Sequence, residues 1–212
     1  VLADDRAGNT AQSLGAAEAC GAKIEVKQVR YTKAVLLPNA LRGASTIGLT
    51  RETIDGIKPP FPDVAIAAGR RAAPLLRFIK KKSGGKTKIV QIMFPGMIGL
   101  SDFDLVVLPN HDGCKAIRPN ILRVTGAPHR ITAERLNAER EKWAQVFESL
   151  PHPRIALIVG GATKDKPFTA DMARDLARRA VALAEKSGGG SFMVTTSRRT
   201  GAEQEKIIRD AL

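Results

Sequence analysis

Short apolar runs that alternate with amphipathic stretches are the main pattern along this chain. Five runs predict buried parallel strands, because they are nearly continuous in apolar residues and turn signals bound them. These runs are residues 63–68, 88–93, 104–108, 155–159 and 192–196. The stretch after the first run carries apolar residues at helical spacing, which predicts one buried helix face. The residues of that face are Ala72, Leu75, Leu76 and Ile79.

The beginning of the chain gives weaker signals. A polar turn occupies residues 4–9, and Thr10 is the expected cap of a helix over 11–20. Residues 23–29 alternate between polar and apolar side chains, which predicts another strand. Glycines interrupt the period within 31–58, so no long element is predicted there.

Three helices are predicted in the second half of the chain. Thr132 caps a long helix, and residues 169–186 form another that ends at three glycines. Thr200 and Glu203 have the spacing of a capping box, which would start the last helix. Residues 117–130 lack a period and are interpreted as an irregular crossing segment. The apolar stripe of the long helix consists of Leu136, Trp143, Phe147 and Leu150.

Strands that alternate with helices indicate an α/β fold with parallel sheets. Residues 150–154, Leu-Pro-His-Pro-Arg, form a rigid connector between two halves of the chain. We therefore predict two domains, 1–150 and 151–212, with the last two predicted strands in a separate sheet. Because a two-stranded sheet has little independent stability, we expect sequence beyond Leu212 to complete the second domain.

The charge of the chain changes the picture of its partners. Lys and Arg total 34 against 21 Asp and Glu, which gives a net charge of +13 and a pI near 10.2. This excess favours an anionic partner: a nucleotide phosphate, an acidic lipid surface or nucleic acid. Aromatic residues make up only 4% of the chain and the cations are scattered, so we expect no nucleic acid partner.

Cysteine content and hydrophobicity indicate the cellular compartment in which the chain is expected. Cys20 and Cys114 have neither disulfide-framework nor metal-ligand spacing, which predicts a reducing compartment and no metal site. No apolar run approaches the roughly 20 residues that span a bilayer. We predict a cytoplasmic location, with peripheral attachment at the inner face of a membrane as an alternative. The pattern predicts no cofactor, and it specifies no oligomeric state.

Candidate chemistry lies directly after the predicted strands, where open α/β sheets bind their ligands. Gly160 and Gly161 follow the run 155–159, with Thr163 and Lys164 close behind them. Glycines at such a place let the backbone approach a phosphate, and the next helix offers free N–H groups. An ordinary tight turn between strand and helix is the alternative interpretation.

Two of the turns after strands repeat a small residue followed by an arginine pair. They are Gly69, Arg70 and Arg71, and Ser197, Arg198 and Arg199. Two cations at a helix N-terminus are locally unfavourable, and a bound phosphate or carboxylate would relieve that cost. We therefore favour anion sites over solvated arginines that pair with nearby acids. Gly8 and Asn9, in the turn after the first strand, join the same set of candidate ligand-binding residues.

Acid–base chemistry is a second candidate function of these turns. His111 and Asp112 follow the run 104–108, where the histidine would titrate near neutral pH and the carboxylate would orient it. An exposed or structural histidine is the alternative. Asp5, together with Asp4, would either bind a substrate hydroxyl or cap the first helix. The chain contains no nucleophile elbow, P-loop or zinc motif.

Several of these motifs, taken in order, resemble one known family. They are residues 4–9 with Gln12, 62–74, 103–112, 119–122, 126–130, 158–161 and 195–199. In this order they are similar to the family of the plant elongated-mitochondria fission factor and its bacterial relatives. The resemblance extends over nearly the whole chain.

That family is similar to GT-B glycosyltransferases, and the resemblance implies two Rossmann-like domains that face each other across a cleft. It also implies a nucleotide-sugar, as substrate or ligand, mainly on the C-terminal domain. In a transferase, the two-glycine turn and Thr163 would face the diphosphate, and the second arginine pair would neutralise it. His111 or Asp112 would then serve the acceptor.

The resemblance leaves two alternative functions. A nucleoside-diphosphate-sugar epimerase, a label that the family has also carried, would use carboxylates near Asp4, Asp5 and Asp112 for proton transfer beside C2 of the sugar. A non-enzymatic membrane-surface protein of the mitochondrial-fission type would depend instead on the net charge of +13.

Overall fold

The computed structural model describes all 212 residues. They divide into two compact units, Val1–Thr132 and Ala133–Leu212. Parallel strands and helices make up both units, which confirms the predicted α/β class. The predicted domains, 1–150 and 151–212, stay a prediction.

The first unit contains a short parallel strand pair and a four-stranded parallel sheet. The pair consists of β1 (Leu2–Ala3) and β2 (Lys27–Gln28). The sheet has the order β3-β4-β5-β6, with β3 (Val64–Ala68), β4 (Lys88–Ile92), β5 (Leu105–Pro109) and β6 (Ile121–Val124). The helices of this unit are α1 (Ala7–Ala19), α2 (Asn39–Arg42), α3 (Arg51–Gly56) and α4 (Ala73–Lys82).

Two apolar clusters cover the faces of the sheet. Ala65 and Ala67 of β3 belong to the cluster around α4, whereas Ile66 belongs to the cluster that includes Ala17 of α1. This alternation follows from the two-residue period of a strand. The predicted buried face of α4 is confirmed, with Leu75 and its neighbours almost inaccessible to solvent. Each such leucine contributes about 1.5–3 kcal/mol of transfer free energy.

Helix α1 begins earlier than the sequence pattern predicts. It starts at Ala7, so Gly8 lies in its first turn instead of in a preceding loop. Thr10 is therefore not the cap, and its hydroxyl donates to the main-chain oxygen of Asp4 at 3.0 Å. The Asp4 carboxylate accepts from Arg6 N at 2.9 Å in the turn before the helix, and no side chain caps the first turn of α1.

Two predicted strands also differ from the structure. The strand expected over 23–29 is reduced to the two residues of β2. The segment 117–130, interpreted as irregular, contains β6, which pairs with β5 at the edge of the sheet. Its residues are half-buried or exposed, because an edge strand is only partly covered, and its apolar pattern is correspondingly weak.

The second unit contains its own two-stranded parallel sheet, as predicted. Strand β7 (Arg154–Ile158) pairs with β8 (Ser191–Thr195), and the helices are α5 (Ala133–Glu148), α6 (Ala170–Lys186) and α7 (Ala202–Ala211). Thr169 caps α6 by accepting from Met172 N at 3.3 Å. The capping box expected at Thr200 is wrong, because Gly201 is the residue before α7 and makes no side-chain cap.

The long helix α5 forms as predicted, but its apolar stripe is not buried. Leu136 is 57% exposed and Trp143 is 42% exposed. The stripe is therefore a surface of the second unit. No helix in the structure is both long enough and apolar enough to cross a membrane.

Candidate functional site

An ion-paired cluster lies at the carboxyl ends of β1 and β3. The Asp4 carboxylate, which is 3% exposed, accepts from Arg71 Nη2 at 3.0 Å and from Asn9 Nδ2 at 3.0 Å. Arg71 also donates to both carboxylate oxygens of Asp5. Arg71 is thus paired with two acids, which agrees with the alternative interpretation that these arginines pair with nearby carboxylates. Arg70 makes no ion pair. Asp4 does not cap α1, because its carboxylate accepts from Arg6 N, which precedes the helix, and from the side chains of Asn9 and Arg71.

The chemistry of Asp5 follows from its bond to Arg71. That hydrogen bond holds the pKa of Asp5 below its ordinary value. The side chain is 68% exposed. An exposed, firmly ionised carboxylate can accept a hydrogen bond from a ligand hydroxyl, but it is a weak proton acceptor at neutral pH.

Glycine at position 69 is required by the backbone and by packing. Its φ is +83°, and a Cβ there would lie 2.5 Å from Asn9 Nδ2. Its carbonyl oxygen accepts from the buried Gln91 Nε2 at 3.2 Å, which links the ends of β3 and β4. Gly8 differs, because a Cβ added there meets no atom within 4 Å. Open space therefore lies beside the first turn of α1.

His111 and Asp112 lie together in a short helical turn after β5, but they do not form a hydrogen-bonded pair. The Asp112 carboxylate accepts from Phe94 N at 2.8 Å and so joins the turn after β4 to the turn after β5. Met93, just before Phe94, has a φ of 70°, which is strained for a side chain of its kind. His111 is exposed. The structure thus gives Asp112 a structural contact and leaves the predicted acid–base role of His111 a hypothesis.

Sequence reasoning missed two side chains at this edge, Arg42 and Tyr31. Arg42 is 2% exposed and donates to Ile47 O at 3.0 Å and to Arg71 O at 3.2 Å. The Tyr31 ring lies under the Arg71 guanidinium, with 4.6 Å between Cζ and the ring centroid. Burial raises the pKa of the Tyr31 phenol, so the hydroxyl stays protonated. No local signal identifies either residue at this edge, because their contacts with Arg71 are distant in the chain.

In the second unit, the turns after β7 and β8 are packed against each other. A Cβ at Gly161 would lie 2.0 Å from the carbonyl carbon of Arg199, so only glycine fits there. Ala162 N donates to Arg199 O at 2.9 Å, and the Thr200 hydroxyl donates to Gly160 O at 2.7 Å. The structure therefore brings together the two-glycine turn and the second arginine pair, which the sequence named separately.

Several donors of this second-unit turn cluster, residues 160–164 and 197–200, are left for a ligand. Arg198 and Arg199 are exposed and form no ion pair, unlike the arginines of α6. The main-chain N–H groups of Gly160, Gly161 and Arg198 donate to no acceptor in the structure. Cations and free N–H groups at strand ends can bind an oxyanion through charge-assisted hydrogen bonds.

The remaining predicted residues of this cluster differ in how they are engaged. The Thr163 hydroxyl accepts from Lys166 N at 3.1 Å, which closes a small turn. The Ser197 hydroxyl accepts from Arg199 N at 3.2 Å. Lys164 is exposed without an ion pair, so it adds a third available cation.

Comparisons with known proteins agree with the motif series. The family model for mitochondrial fission ELM1 matches residues 7–212. The uncharacterized protein RP120 of Rickettsia prowazekii is 30% identical over an alignment 243 residues long, gaps included, which covers 99% of this chain and 67% of that protein. The mitochondrial fission protein ELM1 of Arabidopsis thaliana is 25% identical over 183 residues, and these cover 76% of this chain and 42% of the plant protein. No solved structure matches the chain. The predicted resemblance is thereby confirmed, and the chain belongs to the mitochondrial fission ELM1 family.

Proposed function

We propose that this protein binds a nucleotide-sugar, or another ligand that carries a diphosphate, at the second-unit turn cluster. The observation that carries the proposal is the packing of the turns after β7 and β8, which gathers unpaired cations beside free N–H groups. A diphosphate supplies the acceptor oxygens and the negative charge that these donors lack.

The number of donors favours a diphosphate over a single carboxylate. Arg198, Arg199 and Lys164 are three exposed cations without ion pairs in these two turns. A carboxylate has two oxygens and one charge, whereas a diphosphate presents more oxygens and at least two charges. Each arginine fork can bind two phosphate oxygens at once.

The geometry supports binding more than catalysis. We propose a GT-B arrangement in which His111 serves an acceptor, as a glycosyltransferase-like protein would require. The epimerase alternative has less support, because Asp4 is ion-paired and Asp112 accepts from a main-chain N–H group. For the membrane-surface alternative, the exposed Lys81 and Lys82 at the end of α4 are the candidate residues.

Calorimetric titration tests the proposed binding. Nucleoside diphosphates and their sugars are first screened by the melting temperature of the protein, and the most stabilising compound is then titrated. A ligand at about 100 times its dissociation constant should stabilise the fold by about 2.7 kcal/mol. Arg198→Gln should weaken binding at least tenfold, since a charge-assisted hydrogen bond contributes about 1.5–3 kcal/mol.

Arg209→Gln is the matched control, because Arg209 is an exposed arginine of α7 without an ion pair. It makes the same change of charge and should leave the affinity unchanged. Equal weakening by both substitutions would show only a general electrostatic effect. Failure of every diphosphate compound to raise the melting temperature would exclude the proposed ligand class.

A further inference from the structure

Four large apolar side chains of the first unit stand in solvent on two neighbouring segments. They are Leu36, Leu41, Met97 and Ile98, and each is between 57% and 77% exposed. The first two belong to residues 36–41, and the other two belong to the turn after β4. Asn39 joins the two segments, because its Nδ2 donates to Pro95 O at 3.0 Å. We call these four residues the loop face. Scattered apolar residues are ordinary on a protein surface, whereas a group of them on adjoining segments marks an interaction site.

A cavity of about 320 Å³ lies between these two segments and α4. Its lining consists of Ala44, Arg77, Lys80, Lys81, Gly85 and Asp102. Ala44 follows the segment that carries Leu41. Asp102, whose carboxylate accepts from Arg77 Nε at 2.6 Å, ends the turn that carries Ile98. The loop face therefore belongs to the two segments that border a basic cavity.

The cations of this cavity outnumber the acids that pair with them. The cations are Arg77, Lys80, Lys81 and Lys88, which shares an acid with Lys80. The acids are Asp102 and Asp104, so four positive charges against two negative ones leave a net charge of +2. Lys81 is exposed and forms no ion pair, so its ammonium group is available to an anionic partner.

We propose that the first unit docks on an anionic lipid bilayer through the loop face and Lys81. The apolar side chains enter the headgroup region, where their burial removes apolar area from water. The Lys81 ammonium group binds lipid phosphates, and the negative potential of the bilayer attracts the excess charge around the cavity. Lysine is depleted in protein–protein interfaces, whereas lysines beside exposed apolar side chains are typical of surfaces that lie among lipid headgroups. This combination favours a bilayer over an acidic protein as the partner.

This inference goes beyond the proposed diphosphate binding and does not rest on it. All residues of the loop face lie in Val1–Thr132, whereas the second-unit turn cluster lies in Ala133–Leu212. It gives the membrane-surface alternative a defined surface, because apolar insertion adds to the attraction of the lysines at the end of α4. Vesicles without any nucleotide therefore test it by itself.

Sedimentation of the full chain with lipid vesicles tests the proposal. Vesicles of phosphatidylcholine alone are compared with vesicles of equal parts phosphatidylcholine and phosphatidylglycerol, over a range of salt concentrations. We expect binding to the mixed vesicles and much weaker binding to the neutral ones. Because salt screens charges but not apolar burial, part of the binding to mixed vesicles should persist at high salt.

Two kinds of substitution separate the apolar contacts from the charge. Leu41→Gln together with Ile98→Gln should weaken vesicle binding about tenfold and leave its salt dependence unchanged, because no charge is removed. Lys81→Gln should weaken binding about fivefold and reduce its salt dependence. The matched control is Leu136→Gln with Val146→Gln, since both residues are exposed apolar side chains of α5 in the second unit. This control should bind vesicles as wild type does.

Three results would overturn the proposal. One is the absence of sedimentation with the mixed vesicles. Another is unchanged binding by the double variant of Leu41 and Ile98, since any attachment would then be electrostatic alone. The third is weaker binding by the α5 control, with a blue shift of Trp143 emission when vesicles are added, which would assign the attachment to the second unit.

Discussion

Alanine at Gly160 and alanine at Gly161 should have opposite effects on stability. At Gly161 an added Cβ would lie 2.0 Å from the carbonyl carbon of Arg199 and 2.4 Å from Thr200 N. Both are backbone atoms, so the turn after β8 must move, and overpacking of this kind costs about 1–3 kcal/mol. At Gly160 no atom lies within 4 Å of the added Cβ, and φ is outside the left-handed region. Alanine there should stabilise the protein by about 0.4–1 kcal/mol, because it restricts the unfolded chain.

Urea denaturation followed by circular dichroism measures both effects. Gly161→Ala should shift the unfolding midpoint down, and Gly160→Ala should leave it unchanged or shift it up. Calorimetry with pyrophosphate then separates stability from binding, because a methyl group at Gly160 stands where the ligand would approach the free N–H group. Gly160→Ala should therefore be well folded and bind at least tenfold more weakly. Equal midpoints for the two variants would refute the close packing of the turns, and wild-type affinity in Gly160→Ala would remove Gly160 from the site.

Three further predictions concern the first unit. Burial by itself raises the pKa of Asp104, but the hydrogen bonds from Lys80 and Ile89 N lower it by more. The pKa therefore lies below the ordinary 3.8. The ionised Asp104 therefore stabilises the fold at pH values above its pKa in the unfolded chain, and this stabilisation is lost as the pH falls through its lower pKa in the folded chain. Asp104→Asn should cost about 1.5–3 kcal/mol at pH 7. Urea midpoints that still differ between wild type and variant near pH 2 would contradict this assignment. Leu75→Ala should cost about 2–5 kcal/mol in urea titrations, against a negligible effect of Leu41→Ala at a 71% exposed position. If the chain attaches to acidic vesicles through the end of α4, the double substitution Lys81→Gln, Lys82→Gln should weaken vesicle binding about thirtyfold, at about 1 kcal/mol per lysine, as measured by co-sedimentation. Lys80→Gln should weaken it less, because Lys80 already pairs with Asp104.

The sequence was sufficient for elements whose signals are local. Helix α4 could be predicted because its apolar residues have a helical period and its start follows a buried strand directly. The start of α1 could not, because the residue before the helix is Arg6, which makes no side-chain cap and therefore gives no capping signal in the sequence. Strand β6 escaped detection because it lies at an edge and half of its residues face solvent.

The candidate sites show the same division. The arginine pairs were visible because each follows a strand in the sequence. Their different environments were not, because Arg71 meets acids 66 and 67 positions away, whereas Arg198 and Arg199 meet none. Arg42 could not be identified for a related reason. Its contact with Arg71 O spans 29 positions, and Arg42 itself lies in a stretch that has no periodic pattern.

The exposed stripe of α5 has a consequence for spectroscopy. Trp143 is the sole tryptophan of the chain, and its indole N–H donates to the exposed Glu139 carboxylate at 2.8 Å. Phe147 is 6.4 Å away, and Lys142 lies over the indole ring at 5.2 Å. The fluorescence of this chain therefore comes from a partly hydrated helix surface. Its emission should change little when either core unfolds, and a blue shift should instead mark the covering of the α5 stripe.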